Sequence, residues 1–299
     1  SDVCSSDLIN NGALHTSVRS YEILETNGNI REIQQNDSDF YTALVGIGST
    51  GIITSLELEI VPSYEISQTV YAELSHETFK KNLLEIMSGG YSVNYFTDFT
   101  EKRLGDVWFK NRGINPPTYF GAKARTAKVH PIVSEPADAT SEQLGIPGPW
   151  NQRLLQFRID ANPSAGVELQ SEFFVESKNG SAAFSAIEEI SHLFREKLMI
   201  SEVRAIAADS HWLSPAFDRE TISIHFTWKK DYEVPYLIHL IEEALKPYDF
   251  RPHLGKLFNV EKDHLVKVLP KFEDFVQYVK RVDPNGKFQN QFSKNLLSL

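Results

Sequence analysis

The chain has 299 residues, 41% of them hydrophobic and 23% charged, with a formal net charge of −10. That length exceeds one average domain and can bury a sizeable core, while the acidic balance argues against a nucleic-acid binder, which needs a basic face. No apolar run approaches the ~20 residues that span a bilayer. The single cysteine, Cys4, excludes an internal disulfide framework and any Cys-rich metal site. A monomeric, cytoplasmic protein without a metal is the expectation.

The first eight residues, Ser1-Asp2-Val3-Cys4-Ser5-Ser6-Asp7-Leu8, read as the translation of a sequencing-adapter oligonucleotide and are set aside as a fusion scar would be. Amplifying the source locus across this junction tests the reading; a native stretch encoding these residues upstream of Ile9 would overturn it. A scar would make the chain an N-terminally truncated fragment in which no targeting signal can be read.

Residues 17–24 and 30–33 predict a hairpin closed by Asn27-Gly28-Asn29. Residues 37–45 predict a short helix capped by Asp37 or Ser38. Gly46-Ile47-Gly48-Ser49-Thr50-Gly51 follows, then a strand over 52–61 stopped by Pro62. The spelling G-x-G-x-x-G suggests a Rossmann loop, but such a loop follows a strand and opens a helix. Here the order is reversed, which disfavours a nicotinamide dehydrogenase. A tight helix-to-strand connection remains, or a close backbone approach to another flat or phosphorylated ligand.

From Ser63 strands alternate with amphipathic helices. Residues 67–74 and 91–99 predict strands, and 76–87 a helix with Phe79, Leu83, Leu84 and Met87 on one face. Six prolines between 116 and 149 make 111–150 a long irregular excursion of the kind that serves as a lid or interface arm. Residues 154–160 and 167–175 return to strand. In the second, Glu168, Gln170 and Glu172 share one face, read as a solvent or interface face, with Val167, Leu169 and Phe173 opposite. A helix over 181–198 capped by Ser181, strands over 201–204 and 223–228, and helices over 234–245 and 272–282 complete the pattern, the last stopped by Asp283-Pro284-Asn285-Gly286. The class is α+β, an antiparallel sheet with helices on one face and the two chain ends flanking it.

Two of these strands and a third strand-like segment, over 251–256, carry lines of polar side chains. Alternate strand residues share a face, so Glu202 lies beside Arg204, and Ser223, His225 and Thr227 line up likewise. Arg251-Pro-His-Leu-Gly-Lys256 adds an ammonium. A carboxylate, a guanidinium, a hydroxyl and an ammonium in one cavity suit a polyhydroxylated substrate. Taken by spacing alone, Glu202 and Arg204 also fit an exposed ion pair of under ~1 kcal/mol, and Lys256 a solvated loop residue.

Eight ordered stretches between about Asn11 and Phe292 resemble the bacterial alditol oxidases of the vanillyl-alcohol-oxidase superfamily, a group that includes the aldonolactone oxidases. They are Val45-Gly-Ile-Gly48 with Gly51-Ile-Ile-Thr54, Gly148-Pro-Trp-Asn151, Glu168-Leu-Gln-Ser-Glu172, Glu202-Val-Arg204, Trp212-Leu-Ser-Pro215, His225-Phe-Thr-Trp228, Arg251 to Lys256, and Asp283-Pro-Asn-Gly-Lys-Phe288. The resemblance implies the C-terminal part of a split FAD-binding domain plus an α+β cap domain with a large antiparallel sheet. Residues 9–62 would be the second part of the FAD domain, 63–257 the substrate or cap domain, and 258–299 the return to the FAD domain. It further implies Glu202, Arg204, Thr227 and Lys256 as catalytic and substrate-binding residues, with His225 beside the substrate, and Glu202 holding Arg204. Gly46, Gly48, Gly51, Ile53 and Thr54 would contact FAD. The histidine that carries FAD covalently would lie in the missing N-terminal part, so neither His15 nor His76 inherits that role.

The activity implied is oxidation of a sugar alcohol of the xylitol or sorbitol class, with O2 as acceptor and an aldose and hydrogen peroxide as products. Two alternatives stay open: an aldonolactone oxidase of the D-arabinono-1,4-lactone or L-gulonolactone type, and a non-catalytic sugar-binding cap. A fragment without its first FAD segment is expected to be inactive alone.

Overall fold

The computed structural model describes residues 12–154 and 167–299. The first eight residues and positions 155–160 of the expected 154–160 strand lie outside the described residues. In chain order the elements are β1 (Val18–Leu24), β2 (Ile30–Gln34), α1 (Phe40–Ala43), β3 (Ile52–Leu58), β4 (Glu65–Ser75), α2 (His76–Lys81), α3 (Leu83–Ser88), β5 (Ser92–Thr97) and β6 (Leu104–Asn111). Then come β7 (Thr118–Tyr119), β8 (Ala122–Ala124), β9 (Gly148–Pro149), α4 (Trp150–Arg153), β10 (Glu168–Glu176), α5 (Gly180–Phe194), β11 (Leu198–Ile206) and β12 (Thr221–Lys229). The chain closes with α6 (Val234–Leu245), β13 (Arg251–Pro252), α7 (Lys262–Val268), α8 (Phe272–Val282) and α9 (Gln291–Leu297).

Two sheets form. β2-β1-β3 is a small three-stranded sheet. The second has ten strands, in the order β13-β10-β12-β11-β5-β6-β4-β8-β7 with β9 paired to β4, and its strand pairs are antiparallel. Its centre is built from hairpin-like runs of β-branched and aromatic residues, which suit a pleated, half-buried surface. Alternation sends Ile222, Ile224, Phe226 and Trp228 of β12 to one face, where they pack with Phe184 and Ile187 of α5 and Ile238 and Ile241 of α6. The opposite face carries the polar line.

The expected helix over 76–87 is two helices, because Asn82 turns its side-chain amide onto the Thr78 carbonyl (2.9 Å) and breaks the ladder. Ser181 does not cap α5; its hydroxyl donates to the Lys80 carbonyl at 2.9 Å and ties α5 to α2. Likewise neither Asp37 nor Ser38 caps α1, which starts later, at Phe40. The strand β6 was not anticipated.

A second core joins α7, α8 and α9 to Leu213 and Leu254. In α8, Phe272, Phe275, Val276 and Val279 recur at helical spacing and are buried, with Glu273 and Asp274 in the first turn and Lys280 and Arg281 in the last, matching the helix dipole. After it, Asp283 accepts from the backbone N–H groups of Lys287 (2.7 Å) and Phe288 (2.9 Å) and from Gln289 Nε2 (3.0 Å). The same Gln289 amide donates to the Ser49 carbonyl at 2.9 Å, which pins the glycine loop to the C-terminal segment. Among the described residues no helix is long and apolar enough to cross a membrane.

Candidate functional site

The polar face of the large sheet centres on Glu172, which has no exposed side-chain surface. In register, Glu172 of β10 stands across from His225 of β12, and His225 across from Glu202 of β11; one pair of residues along, Phe174, Ser223 and Arg204 make the adjacent row. Arg204 therefore starts two strands from β10. Its long side chain reaches over the small Ser223, and its Nη2 meets Glu172 Oε1 at 2.5 Å. Ser223 also donates its hydroxyl to that carboxylate oxygen.

Lys256 arrives from the loop after β13. The backbone N–H of His253 donates to the Glu172 carbonyl and that of Leu257 to the Gln170 carbonyl, both at 2.9 Å, so the loop runs alongside β10. A tight turn between them, with the Lys256 N–H on the His253 carbonyl (3.0 Å) and the Gly255 N–H on His253 Nδ1 (3.0 Å), aims Lys256 Nζ at Glu172 Oε2, 2.8 Å away. One carboxylate thus holds both cations. Isolated buried charges would each cost several kcal/mol, and here the three offset one another. Burial alone would raise the Glu172 carboxyl, but Arg204 and then Lys256 hold it well below the usual carboxylate range.

The same field acts on the histidines. Burial, reinforced by Lys256, keeps His225 well below its ordinary value, and its Nε2 donates to Gln170 Oε1 at 3.3 Å. His253 is lowered to about 4, first by burial. Both are therefore neutral near pH 7. Glu202 Oε1 accepts from Asn94 Nδ2 of β5 at 2.6 Å, and its Oε2 lies 3.9 Å from Arg204 Nε. Asn94 Oδ1 in turn accepts from Lys110 Nζ of β6 at 2.9 Å. Thr227 is buried on this face, one pair further along β12, opposite Gln170 and Ile200.

Glu202, Arg204, Thr227, His225 and Lys256 thus share one surface. Two expectations change. Glu172 is no solvent-face residue but the buried partner of both cations, and the main anchor of Arg204 is Glu172 rather than Glu202. The alternation around Glu172 could have identified its face; what it could not supply was that Arg204 and Lys256, distant in sequence, close over it. Asn94 and Lys110 were not anticipated. His15 pairs with Asp209 (3.1 Å), and His76 lies between Glu188 (2.7 Å) and Thr97 (2.9 Å).

Two cavities flank this face. One of about 1190 Å³ is lined by Glu168, Gln170, His253, Gly255 and Lys256 among others. The other, about 450 Å³, is lined by Gly46, Gly48, Gly51, Ile53, Leu213 and Leu254 among others. They share His253, Leu254, Gly255 and Phe292 as a common wall. At Gly48, φ is +71° and nothing lies within 4 Å of the place a Cβ would take, so the backbone presents itself bare to the cavity. Gly51 is needed for packing: a Cβ there would stand 2.7 Å from the Leu24 carbonyl oxygen. Thr54 is exposed on β3 and is not part of that lining, since strand alternation turns it away from Ile53. An apolar, glycine-floored cleft of this kind fits a flat aromatic ring system. Among the described residues no three His, Cys, Asp or Glu side chains are grouped to hold a metal ion.

Comparison with known proteins bears on family and fold. Residues 168–296 match the D-arabinono-1,4-lactone oxidase family. The chain is similar to an alditol oxidase of Streptomyces sp. (strain IKD472 / FERM P-14339), 35% identical over 291 residues that cover 97% of this chain and 70% of that protein. Its fold is similar to that of a cholesterol oxidase from Brevibacterium sterolicum, with a TM-score of 0.69 at 12% identity, covering 96% of this chain and 70% of the other. A VAO-type flavoprotein from Myceliophthora thermophila C1 gives a TM-score of 0.63 at 12% identity, covering 94% and 59%. The 35% identity across nearly the whole chain and the ten-stranded antiparallel sheet lead to one conclusion: the chain belongs to the alditol oxidase family, on the fold of the VAO-type flavoproteins.

Proposed function

We propose that this chain carries the substrate face and part of the flavin cleft of an FAD-dependent oxidase acting on sugar alcohols of the xylitol or sorbitol class, with O2 as acceptor. The observation that carries the reading is the pairing of Arg204 and Lys256 on one buried carboxylate, Glu172, beside Glu202, Thr227 and His225. Residues 63–257 would act as the cap, with 9–62 and 258–299 belonging to the FAD domain. Gly46, Gly48, Gly51 and Ile53 would hold the flavin against the shared wall at His253–Gly255. FAD, when bound, supplies the hydride acceptor.

The protein's own part is binding and charge. Glu202 accepts hydrogen bonds from substrate hydroxyls, and Thr227 fixes a further one. Arg204 and Lys256, held in place before substrate arrives, favour alkoxide character at the reacting oxygen; preorganised groups of this kind contribute about 3 kcal/mol each. Neutral His225 lies on the same surface, its Nε2–H held by Gln170 Oε1, where it adds polarity without a second positive charge. The aldonolactone reading uses the same cations, and the family match over residues 168–296 keeps it as the second reading. Peroxide release by the flavin-loaded protein, with xylitol set against a γ-lactone, tests the choice. Turnover of the lactone alone would reverse it.

A further inference from the structure

We propose that Lys110 and Asn94 are positioning residues that orient Glu202 toward substrate hydroxyls; this rests on the role proposed for Glu202. Lysine offers only donors and a carboxylate only acceptors, so an amide between them has one compatible orientation. Asn94 sits in that place, its Oδ1 2.9 Å from Lys110 Nζ and its Nδ2 2.6 Å from Glu202 Oε1. The relay crosses three neighbouring strands, β6, β5 and β11, and is built from register: Lys110 faces Ser92, two residues from Asn94, while Asn94 faces Arg204, two residues from Glu202. Asn94 and Lys110 are both buried. A lysine is seldom retained in such a place for packing alone. Lys110 fixes the amide, the amide fixes one oxygen of Glu202, and the orientation of the other oxygen follows. The recognition carboxylate is thereby set before substrate arrives, from a direction opposite to Glu172 and Lys256.

The test uses the flavin-loaded holoenzyme, with steady-state kinetics on xylitol and direct xylitol binding by calorimetry. Losing a hydrogen bond to a charged group corresponds to about a tenfold change in affinity. Asn94→Leu and Lys110→Met are expected to raise KM and the calorimetric Kd by about tenfold while kcat changes less, and Lys110→Arg to restore part of the loss. Asn94→Asp places a second carboxyl against Glu202, so its KM should be high at neutral pH and fall as acidification lets the pair share a proton. That pH dependence would not arise from a merely structural role. A pH-independent KM in Asn94→Asp, or an unchanged Kd in Lys110→Met, overturns the relay. Glu202→Gln separates the two levels: if it binds xylitol normally, the role proposed for Glu202 fails. If it binds poorly while Asn94→Leu and Lys110→Met bind normally, only the relay fails.

Discussion

Replacing Glu172 with glutamine keeps the side chain's size and one acceptor but removes the charge that two cations share. Arg204 is 2% exposed and Lys256 10%, so neither can turn into water without moving the sheet or the 253–257 loop. Breaking a buried pair by removing one partner costs about 3–5 kcal/mol. For a body of this size that corresponds to a fall in melting temperature of roughly 10 °C. The effect also has a pH signature. Because the folded state holds Glu172 below its ordinary value near 4.5, the stability it contributes is fully present above that value and is lost as pH falls through the lower, folded one. Thermal unfolding of wild type and Glu172→Gln, followed by circular dichroism from pH 7 to pH 3, should therefore give curves far apart at neutral pH that converge in acid. Equal melting temperatures at pH 7 would refute the assignment of Glu172 as the anchor of both cations.

Other outcomes follow from the same geometry. His253, lowered to about 4 by burial, must gain a proton as the protein unfolds below pH 6.5, so it removes up to about 3 kcal/mol of stability between pH 6.5 and 4; His253→Asn should flatten the urea-midpoint profile across that window. Gly51→Ala forces a methyl group against Ile23 and the Leu24 carbonyl and should destabilise by more than about 1 kcal/mol in urea. Gly48→Ala meets no atom but keeps the left-handed backbone, so a loss of about 1 kcal/mol is expected in the same assay. Trp228→Ala should cost about 3–5 kcal/mol, since its ring stacks on Phe226 at 5.3 Å in the main core.

The strands β10 and β12 and the helices α6 and α8 were legible because their side chains follow a clean period of 2 or 3.6. β6 was not, since Leu104-Gly-Asp-Val-Trp-Phe-Lys-Asn111 mixes glycine and charge into a short apolar run. It is a strand because β5 and β4 flank it on both sides. The helix break at Asn82 depends on one side-chain hydrogen bond that no period reveals. At the site, alternation sorted Glu168, Gln170 and Glu172 onto one face without saying whether that face meets water. In an antiparallel sheet either face can be the covered one, and here Arg204 and Lys256 cover Glu172. Asn94 and Lys110 look like ordinary polar strand residues until the pairing of β6, β5 and β11 makes them neighbours of Glu202.

The wall formed by His253, Leu254 and Gly255 belongs to both cavities at once. If the two cavities hold polyol and flavin as proposed, altering that loop to retune the substrate would disturb the ring-side cleft as well, so selectivity and cofactor environment could not be adjusted separately there. Under the proposed function, Asn94 of β5 and Lys110 of β6 act on Glu202 and are in the lining of neither cavity, so directed libraries for new substrates should begin at those positions.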